Sequence, residues 1–206
     1  MSQPNSTPQT QSSYATILGA VALVILALVL FFAFRDDGTS SAEAPAEGAA
    51  ATAGETIFAN GSGTLAVGDA AWNFETTDVN GNPVSLADFA GQPIIINYWA
   101  SWCGPCRIEF PHLQEAYNEY QDEGVVLLAV NQQEDSATAI DYFRELGLTF
   151  TPVLDEDGEI GRQYQIGRTL PTTFFINAEG EVSVVHRGPM TFGQIEGYLA
   201  DTLETQ

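Results

Sequence analysis

Apolar positions divide the chain into two parts. One long uncharged stretch lies near the N-terminus, and the region after it has short patterns of apolar and polar residues with the lengths of strands and helices. The stretch covers residues 14–34 and contains no charged side chain over 21 positions. A helix rises 1.5 Å per residue, so about 20 residues cross a hydrocarbon core about 30 Å thick. The pattern therefore predicts a transmembrane anchor helix over residues 14–34.

A cleavable signal peptide is the alternative for this stretch. Ser41 to Ala44 resembles a small-residue cleavage site, which favours cleavage. The basic segment that normally precedes a signal sequence is missing, and the apolar stretch is longer than usual for one. These two features favour a retained anchor.

The segments on either side of the stretch have compositions that do not support a packed core. Residues 1–13 are polar and uncharged, which predicts a disordered tail. Residues 35–56 are rich in alanine and acids, which is typical of a flexible linker. One compact domain is therefore expected over residues 57–206.

Within that domain, strand and helix patterns alternate. Ile94 to Trp99 is nearly all apolar and predicts a central strand covered on both faces, and Val125 to Val130 predicts a second. Asn-Gly in 78–83 and a Gly-containing turn in 177–180 indicate hairpins. Further short strands are predicted at 72–74, 84–86, 152–154, 172–176 and 181–186, and helices at 103–122, 135–146, 159–165 and 192–203. This order predicts an α/β fold in which helices flank a central mixed sheet, with a β-hairpin at the N-terminal side.

The sequence also predicts the buried face of the first helix and the ends of the first two. Gly124 is expected to stop the first helix, Asp135 or Ser136 to cap the second, and Gly147 to end it. The expected buried stripe of the first helix consists of Phe110, Leu113, Tyr117 and Tyr120.

Charge narrows the range of partners. The chain has 27 acidic residues against six basic ones, all arginine, and a net charge of −21. Such a surface repels phosphate backbones, so nucleic-acid binding is not expected. Solubility is the simplest interpretation of the charge.

Both cysteines of the chain stand in Cys103-Gly104-Pro105-Cys106, where the predicted central strand ends and a helix begins. A helix N-terminus favours a thiolate and lowers a cysteine pKa from about 8.5 to near 7 in such motifs. Cys103 is expected to be the exposed nucleophile. Cys106, one turn later, is expected to be the resolving thiol that attacks a mixed disulfide.

A static disulfide and a metal site are the other interpretations of the pair. A bridge that closes about four residues constrains the unfolded chain by only about 2 kcal/mol. A zinc site needs four ligands, and the sequence contains no second pair of cysteines. The only histidines, His112 and His186, are expected to be solvated or hydrogen-bonded side chains and not ligands. Redox chemistry is the favoured interpretation, with no metal and no cofactor other than the Cys103–Cys106 disulfide.

Three segments carry a resemblance to a known family. They are Tyr98 to Pro111 around the dithiol, Val67-Gly68-Asp69-Ala70 with Phe74, and Leu170-Pro171-Thr172-Thr173-Phe174. Together they resemble the thioredoxin-like thiol-disulfide oxidoreductases of the TlpA/ResA/DsbE type, within the redoxin group that includes AhpC/TSA-like proteins. The resemblance covers about residues 66–203 and implies a thioredoxin-like fold.

The resemblance also implies roles for residues around the dithiol. Pro171 matches the family's cis-proline, which packs beside the cysteines, and Leu170 matches the residue that offers its backbone to an extended substrate. Trp102, Gly104 and Pro105 are expected to contact the substrate as well. Trp99 is expected to serve packing.

Glu109 is expected to handle protons. It stands three positions after Cys106, on the same side of the predicted helix, and family members with glutamate here use it to tune the thiols. A solvated helix carboxylate is the alternative. Thioredoxins at large carry a buried aspartate six residues before the first cysteine, whereas this chain has Asn97, which accepts no proton. Pro111 is expected to kink the helix and to have no chemical role.

The function implied is an extracytoplasmic reductase of protein disulfides, for example in cytochrome c maturation, anchored in the cell membrane by one helix and re-reduced by a membrane electron donor. The flanking charge does not support this topology, because Arg35, the only basic residue near the stretch, lies on its C-terminal side. A thiol peroxidase and a non-enzymatic dithiol that holds copper or a partner protein remain as alternatives.

Overall fold

The computed structural model describes residues 57–150 and 152–204. Seven strands and four α-helices are formed there, together with short 3-10 turns. In chain order they are β1 Glu75–Thr77, β2 Pro83–Ser85, β3 Ile94–Trp99, α1 Gly104–Tyr120, β4 Val126–Gln132, α2 Ser136–Leu146, β5 Pro152–Asp155, α3 Glu159–Gln163, β6 Thr172–Ile176, β7 Val182–Arg187 and α4 Phe192–Glu204.

Five strands form one mixed sheet in the order β5-β4-β3-β6-β7. β3 is central: it pairs in parallel with β4 and antiparallel with β6, and all of its residues are buried. The expected thioredoxin-like α/β fold with a mixed central sheet is confirmed. Because β6 runs against β3, the end of β3 and the start of β6 meet at one edge of the sheet, here called the dithiol edge.

Each face of the sheet carries its own hydrophobic core. Trp99 lies in the first core, where its ring stacks on Tyr142 at 5.1 Å and meets Phe110 edge-on. Tyr98 lies in the second core with Tyr164 and other rings. The alternation of neighbouring β3 side chains between the two cores is the period of two that a strand requires.

The first strand of the N-terminal hairpin begins three residues later than expected. The sequence predicted strands at 72–74 and 84–86, but β1 begins after Phe74, whose side chain is buried in the second core. Leu86 instead starts a 3-10 turn capped by Ser85. The hydroxyl of Thr76 donates to the carbonyl of Leu154, so the hairpin lies beside the edge strand β5.

The ends of the first two helices follow their local signals. α1 ends at Tyr120, a 3-10 turn continues to Glu123, and Gly124 stops it with φ of 89°. Asp135 caps α2 by accepting from the amide of Thr138, and Gly147 ends it with φ of 66°. These positions confirm the start and stop signals in the sequence.

The buried face of α1 differs in part from the expected stripe. Phe110 and Leu113 are buried as expected, whereas Tyr117 and Tyr120 are only half-buried. Glu109 is fully buried instead. Pro111 lies inside the helix, which continues through it to Tyr120.

None of the helices within 57–150 and 152–204 combines the length and the apolar character needed to span a bilayer. The predicted tail, the anchor at 14–34 and the linker at 35–56 lie outside the described residues.

Candidate active site

The two cysteines form a disulfide at the N-terminus of α1, with their Cα atoms 5.3 Å apart. Cys103 is the N-cap of the helix, and its sulfur accepts from the amide of Cys106 at 3.2 Å. Cys103 retains 4% exposure and Cys106 none. The order of exposure is the expected one, but Cys103 is far more covered than the sequence indicated, because it packs in the first core.

The residues between and before the cysteines are open to solvent. Trp102 is 66% exposed, and Gly104 and Pro105 are exposed as well. A Cβ added to Gly104 would meet no atom within 4 Å, so packing does not require glycine there. These three residues, which the resemblance implies as substrate contacts, are therefore accessible from solvent.

Leu170 and Pro171 lie at the same edge of the sheet, and their peptide bond is cis as the sequence predicted. Pro171 is buried and directly precedes β6, whose Thr172 pairs with Tyr98 near the end of β3. Leu170 is half-buried and packs against both cores. The structure therefore brings the expected loop to the edge that carries the dithiol.

Glu109 is held by contacts from two other parts of the chain. One carboxylate oxygen accepts from the side-chain amide of Asn97 at 3.0 Å, and the other accepts from the amide of Met190 at 3.1 Å. Met190 belongs to the same core as both cysteines. The alternative of a solvated helix carboxylate is wrong, because Glu109 has no exposed surface.

Burial changes the acidity of this carboxyl. Desolvation raises the pKa of Glu109 from 4.5 to about 7, and the hydrogen bonds from Asn97 and Met190 oppose the rise. Near neutral pH the group therefore exists in both protonation states. A group with that property, one helical turn from Cys106, has the acidity that proton transfer requires.

Asn97 stands where thioredoxins at large carry a titratable aspartate, and its side-chain amide is a hydrogen-bond donor that does not titrate. Its amide nitrogen donates both to Glu109 and, at 2.9 Å, to the hydroxyl of Thr173 on β6. Its amide oxygen is buried without a hydrogen-bond partner in the described part of the chain. Asn97 thus orients Glu109 without exchanging a proton, which agrees with the assignment of proton handling to Glu109.

Glu134 is a residue that the sequence reasoning missed. Its carboxylate accepts from the backbone amide of Ser101 at 2.8 Å, from the Ser101 hydroxyl at 2.5 Å and from the side chain of Asn131 at 2.8 Å. It thereby ties the loop before Cys103 to the end of β4. The available signal was its position two residues after a buried strand, at the dithiol edge.

Neither histidine forms a hydrogen bond with a cysteine, Glu109 or Asn97 among the described residues. The imidazole Nδ1 of His186 lies 3.2 Å from the hydroxyl of Tyr198, on β7 and α4. His112 is half-buried on α1. Across residues 57–150 and 152–204, no group of three or more His, Cys, Asp or Glu side chains is arranged to hold a metal ion.

A dithiol at the start of a helix, facing a cis-proline loop on a mixed sheet, defines a thioredoxin-like oxidoreductase. Residues 67–185 match the model of the AhpC/TSA family. The thiol-disulfide oxidoreductase ResA of Oceanobacillus iheyensis is 37% identical over 68% of this chain and 74% of its own. ResA of Bacillus subtilis is 36% identical, over 69% of this chain and 79% of its own.

Solved structures agree with these sequence matches. A putative thiol:disulfide interchange protein DsbE from Chlorobium tepidum aligns with a TM-score of 0.63 and 31% identity, over 68% of this chain and all of its own. StoA from Bacillus subtilis aligns with a TM-score of 0.54 and 32% identity, over 62% of this chain and 96% of its own. The chain belongs to the AhpC/TSA family, and within it to the ResA-like thiol-disulfide oxidoreductases.

Proposed function

We propose that this enzyme reduces disulfides in exported proteins on the extracytoplasmic side of the membrane, with apocytochrome c as one possible substrate. The observation that carries the proposal is the Cys103–Cys106 pair at the start of α1, with the buried Glu109 one turn behind it. This arrangement supplies a nucleophile, a resolving thiol and a proton-handling group in one place.

The reaction proceeds in two exchanges. The Cys103 thiolate attacks one sulfur of a substrate disulfide, which forms a mixed disulfide and releases one substrate thiol. The Cys106 thiolate then attacks the Cys103 sulfur and releases the second. Two electrons pass from the dithiol to the substrate, and both substrate sulfurs end as thiols.

Glu109 serves the second exchange. Cys106 is fully buried, so water does not readily take its proton. A carboxylate with a pKa of about 7 accepts that proton when Cys106 becomes the attacking thiolate. The ionised fraction of Glu109 therefore sets how fast the mixed disulfide resolves near neutral pH.

The Gly104-Pro105 dipeptide supports the reducing direction, because it resembles that of reducing thioredoxins. The relatives above are named thiol-disulfide oxidoreductases, which supports the type of chemistry. A membrane electron donor is then required to restore the dithiol after each turnover. No cofactor other than the disulfide enters this scheme.

The reduction potential tests the direction. Equilibration of the protein with defined glutathione or dithiothreitol buffers is expected to give a value near −270 mV, which is typical of a reductant. A value near −120 mV would show that the pair oxidises its substrates instead.

A Cys106→Ser variant tests the substrate class. Without its resolving thiol, the enzyme is expected to accumulate mixed disulfides between Cys103 and its substrates, and these can be isolated from cells and identified. Cys103→Ser is the matched control and should trap nothing. Trapped proteins confined to the cytoplasm would contradict the proposal.

The membrane location rests on the uncharged stretch at 14–34. Fractionation of cells is expected to place the full chain in the membrane, and added protease is expected to digest the catalytic domain from the outside of spheroplasts. A domain that is protected until the membrane is lysed would show the opposite topology.

A further inference from the structure

The arginines of the described residues fall into two groups. Three of the five lie within 4 Å of a carboxylate: Arg107 pairs with Glu145, Arg144 with Asp141 and Arg162 with Glu159. Arg168 and Arg187 form neither an ion pair nor a side-chain hydrogen bond with any described residue. In a chain with 27 acidic residues, carboxylates are abundant, so two unpaired arginines call for an explanation.

Both unpaired arginines flank the cis-proline loop. Arg168 precedes Leu170 by two residues, and the amide of Leu170 donates to the Arg168 carbonyl at 3.2 Å, which folds the loop tightly. Arg187 is the last residue of β7 and pairs in register with Thr172, directly after Pro171. The amide of Gly188 then donates to the carbonyl of Pro171 at 2.9 Å.

The register fixes the face on which Arg187 lies. Directly paired residues of an antiparallel ladder project to the same side, so Arg187 shares a side with Thr172 and, one strand further, with Tyr98 of the second core. The loop that carries Arg168 follows Ile166, which belongs to the same core. Both arginines are exposed at the dithiol edge.

The carboxylates at the dithiol edge lie after β4 and β5, and most of them accept hydrogen bonds from other residues of the chain. Glu134 accepts from Ser101 and Asn131. Asp135 caps α2, and Asp157 accepts from the amide of Glu159. Glu156 is exposed next to Asp157 at the end of β5. The two unpaired arginines, one in the cis-proline loop and one at the end of β7, therefore place positive charge at the dithiol edge of an otherwise acidic molecule.

We propose that Arg168 and Arg187 form a subsite for carboxylate side chains that flank the cysteine of a protein substrate. The proposal rests on the proposed function, because it places the substrate segment along the Leu170–Pro171 loop. The Leu170 carbonyl accepts no hydrogen bond from any described residue, so it is open to an amide of that segment. The subsite selects segments that carry Asp or Glu next to the cysteine.

The net charge of −21 does not exclude such a substrate. Its long-range field is screened over about 8 Å at physiological ionic strength, whereas contacts with the two arginines act at shorter range. An acidic segment that approaches elsewhere meets mainly carboxylates. It is therefore bound best where the arginines lie, which is on either side of the Leu170–Pro171 loop.

The test uses three peptides that contain the same Cys-X-X-Cys disulfide and differ only in two flanking residues, which are Glu, Gln or Lys. The fully reduced full-length enzyme is mixed with each peptide at 0.15 M salt, and the second-order rate constant of single-turnover reduction is measured. Each value is divided by the rate with dithiothreitol, which removes the effect of flanking charge on the peptide's own thiols.

Exposed charge contacts are weak one by one, so we expect the enzyme to reduce the Glu peptide about 3 to 10 times faster than the Gln peptide. The Lys peptide is expected to be the slowest. In the double variant Arg168→Gln/Arg187→Gln, the Glu peptide and the Gln peptide should be reduced at about the same rate. The rate for the Gln peptide should stay within about twofold of the wild-type value. The matched control Arg144→Gln, which removes a paired arginine on α2, should keep the preference.

Three results would overturn the subsite: no preference for Glu in the wild type, a preference that survives in the double variant, or a preference lost equally in Arg144→Gln. Oxidised glutathione is tested as a second substrate in the same assay. If it is reduced faster than the Glu peptide with the same dependence on both arginines, the subsite takes a small anionic disulfide and not a protein segment. Failure to reduce even the Gln peptide would instead contradict the proposed function.

Discussion

At the scale of single residues, Glu109 is the clearest case of chemistry set by surroundings. The same side chain on the outside of α1 would be an ordinary solvated carboxylate. Here Asn97 from β3 and Met190 from the loop before α4 enclose it, and burial raises its pKa to about 7. The physical cause is the lost hydration of the charged form.

The raised pKa has a consequence for stability. The folded protein holds the Glu109 proton more tightly than the unfolded chain, so ionisation lowers the free energy of unfolding as pH rises from 4.5 to about 7. Glu109→Gln removes the ionisable group, so the variant does not lose this part of the free energy of unfolding. Between pH 4 and pH 8.5, the free energy of unfolding of the variant should gain about 3 kcal/mol relative to the wild type.

Urea denaturation of the oxidised proteins measures this difference without interference from thiol titration. Glu115→Gln, an exposed carboxylate of the same helix, is the matched control and should show no such trend. Parallel pH curves for the wild type and Glu109→Gln would show that the folded state does not raise the pKa of this carboxyl as described.

The same variant should affect catalysis at its second step. Glu109→Gln is expected to slow resolution of the mixed disulfide about 10- to 100-fold above pH 7, where the wild-type carboxylate is ionised. The first exchange should change much less, because Cys103 carries out that attack. Stopped-flow measurement of both phases against pH distinguishes the steps, and unchanged pH profiles would contradict a role in proton transfer.

Glu134 has a positioning role that also belongs to the residue scale. Glu134→Ala removes the acceptor for both donors of Ser101, so the loop before Cys103 should open more often. We expect hydrogen exchange at the Ser101 amide to rise at least about tenfold, equivalent to about 1.4 kcal/mol. Glu134→Gln should restore part of the protection, whereas the exposed Glu145→Ala should leave this amide unchanged.

At the scale of elements, local signals decided the helix ends. Asp135 and Gly147 bound α2 as the sequence predicted, because capping and left-handed termination depend on only a few neighbouring residues. The first hairpin strand was misplaced, because the apolar character of Trp72 and Phe74 reflects burial beside the sheet and not membership of a strand. Periodicity does not separate these two causes of an apolar pattern.

A pair of glycines tests the local argument about helix ends. Gly147→Ala places a Cβ at φ of 66° and should lower the free energy of unfolding by about 1 kcal/mol. Gly197→Ala lies inside α4 with no atom within 4 Å of the added carbon, and should raise it by about 0.5 to 1 kcal/mol. Equal effects of the two changes in chemical denaturation would contradict the assigned helix boundaries.

The dithiol site shows what sequence reasoning predicts well and what it misses. Cys103 and Cys106 were identified from one short motif at the start of a predicted helix, and the cis bond at Pro171 was expected from the family resemblance. The role of Glu134 was not identified, because its partner Ser101 lies 33 positions away in the chain. The covering of Cys103 was not either, because it depends on a core assembled from several strands and helices. Such contacts exist only after the strands have paired.

At the scale of the whole molecule, the net charge of −21 is a source of self-repulsion. Raising NaCl from about 0.02 to 1 M at pH 7 should therefore raise the midpoint of thermal unfolding by several degrees, because the Debye length falls to about 3 Å. At pH 4 many carboxylates are protonated, so the shift should be smaller. A shift of the same size at both pH values would show that the salt acts through another mechanism.

The sequence by itself determined the dithiol, its place at a helix start, the order of strands and helices, and the acidic charge. Each of these follows from residues close together in the chain. Only the tertiary structure decided that Glu109 is buried, that Glu134 holds the loop before Cys103, and that Arg168 and Arg187 flank Pro171 without partners. The reason is that burial and pairing arise from strands that are distant in sequence and adjacent in the sheet.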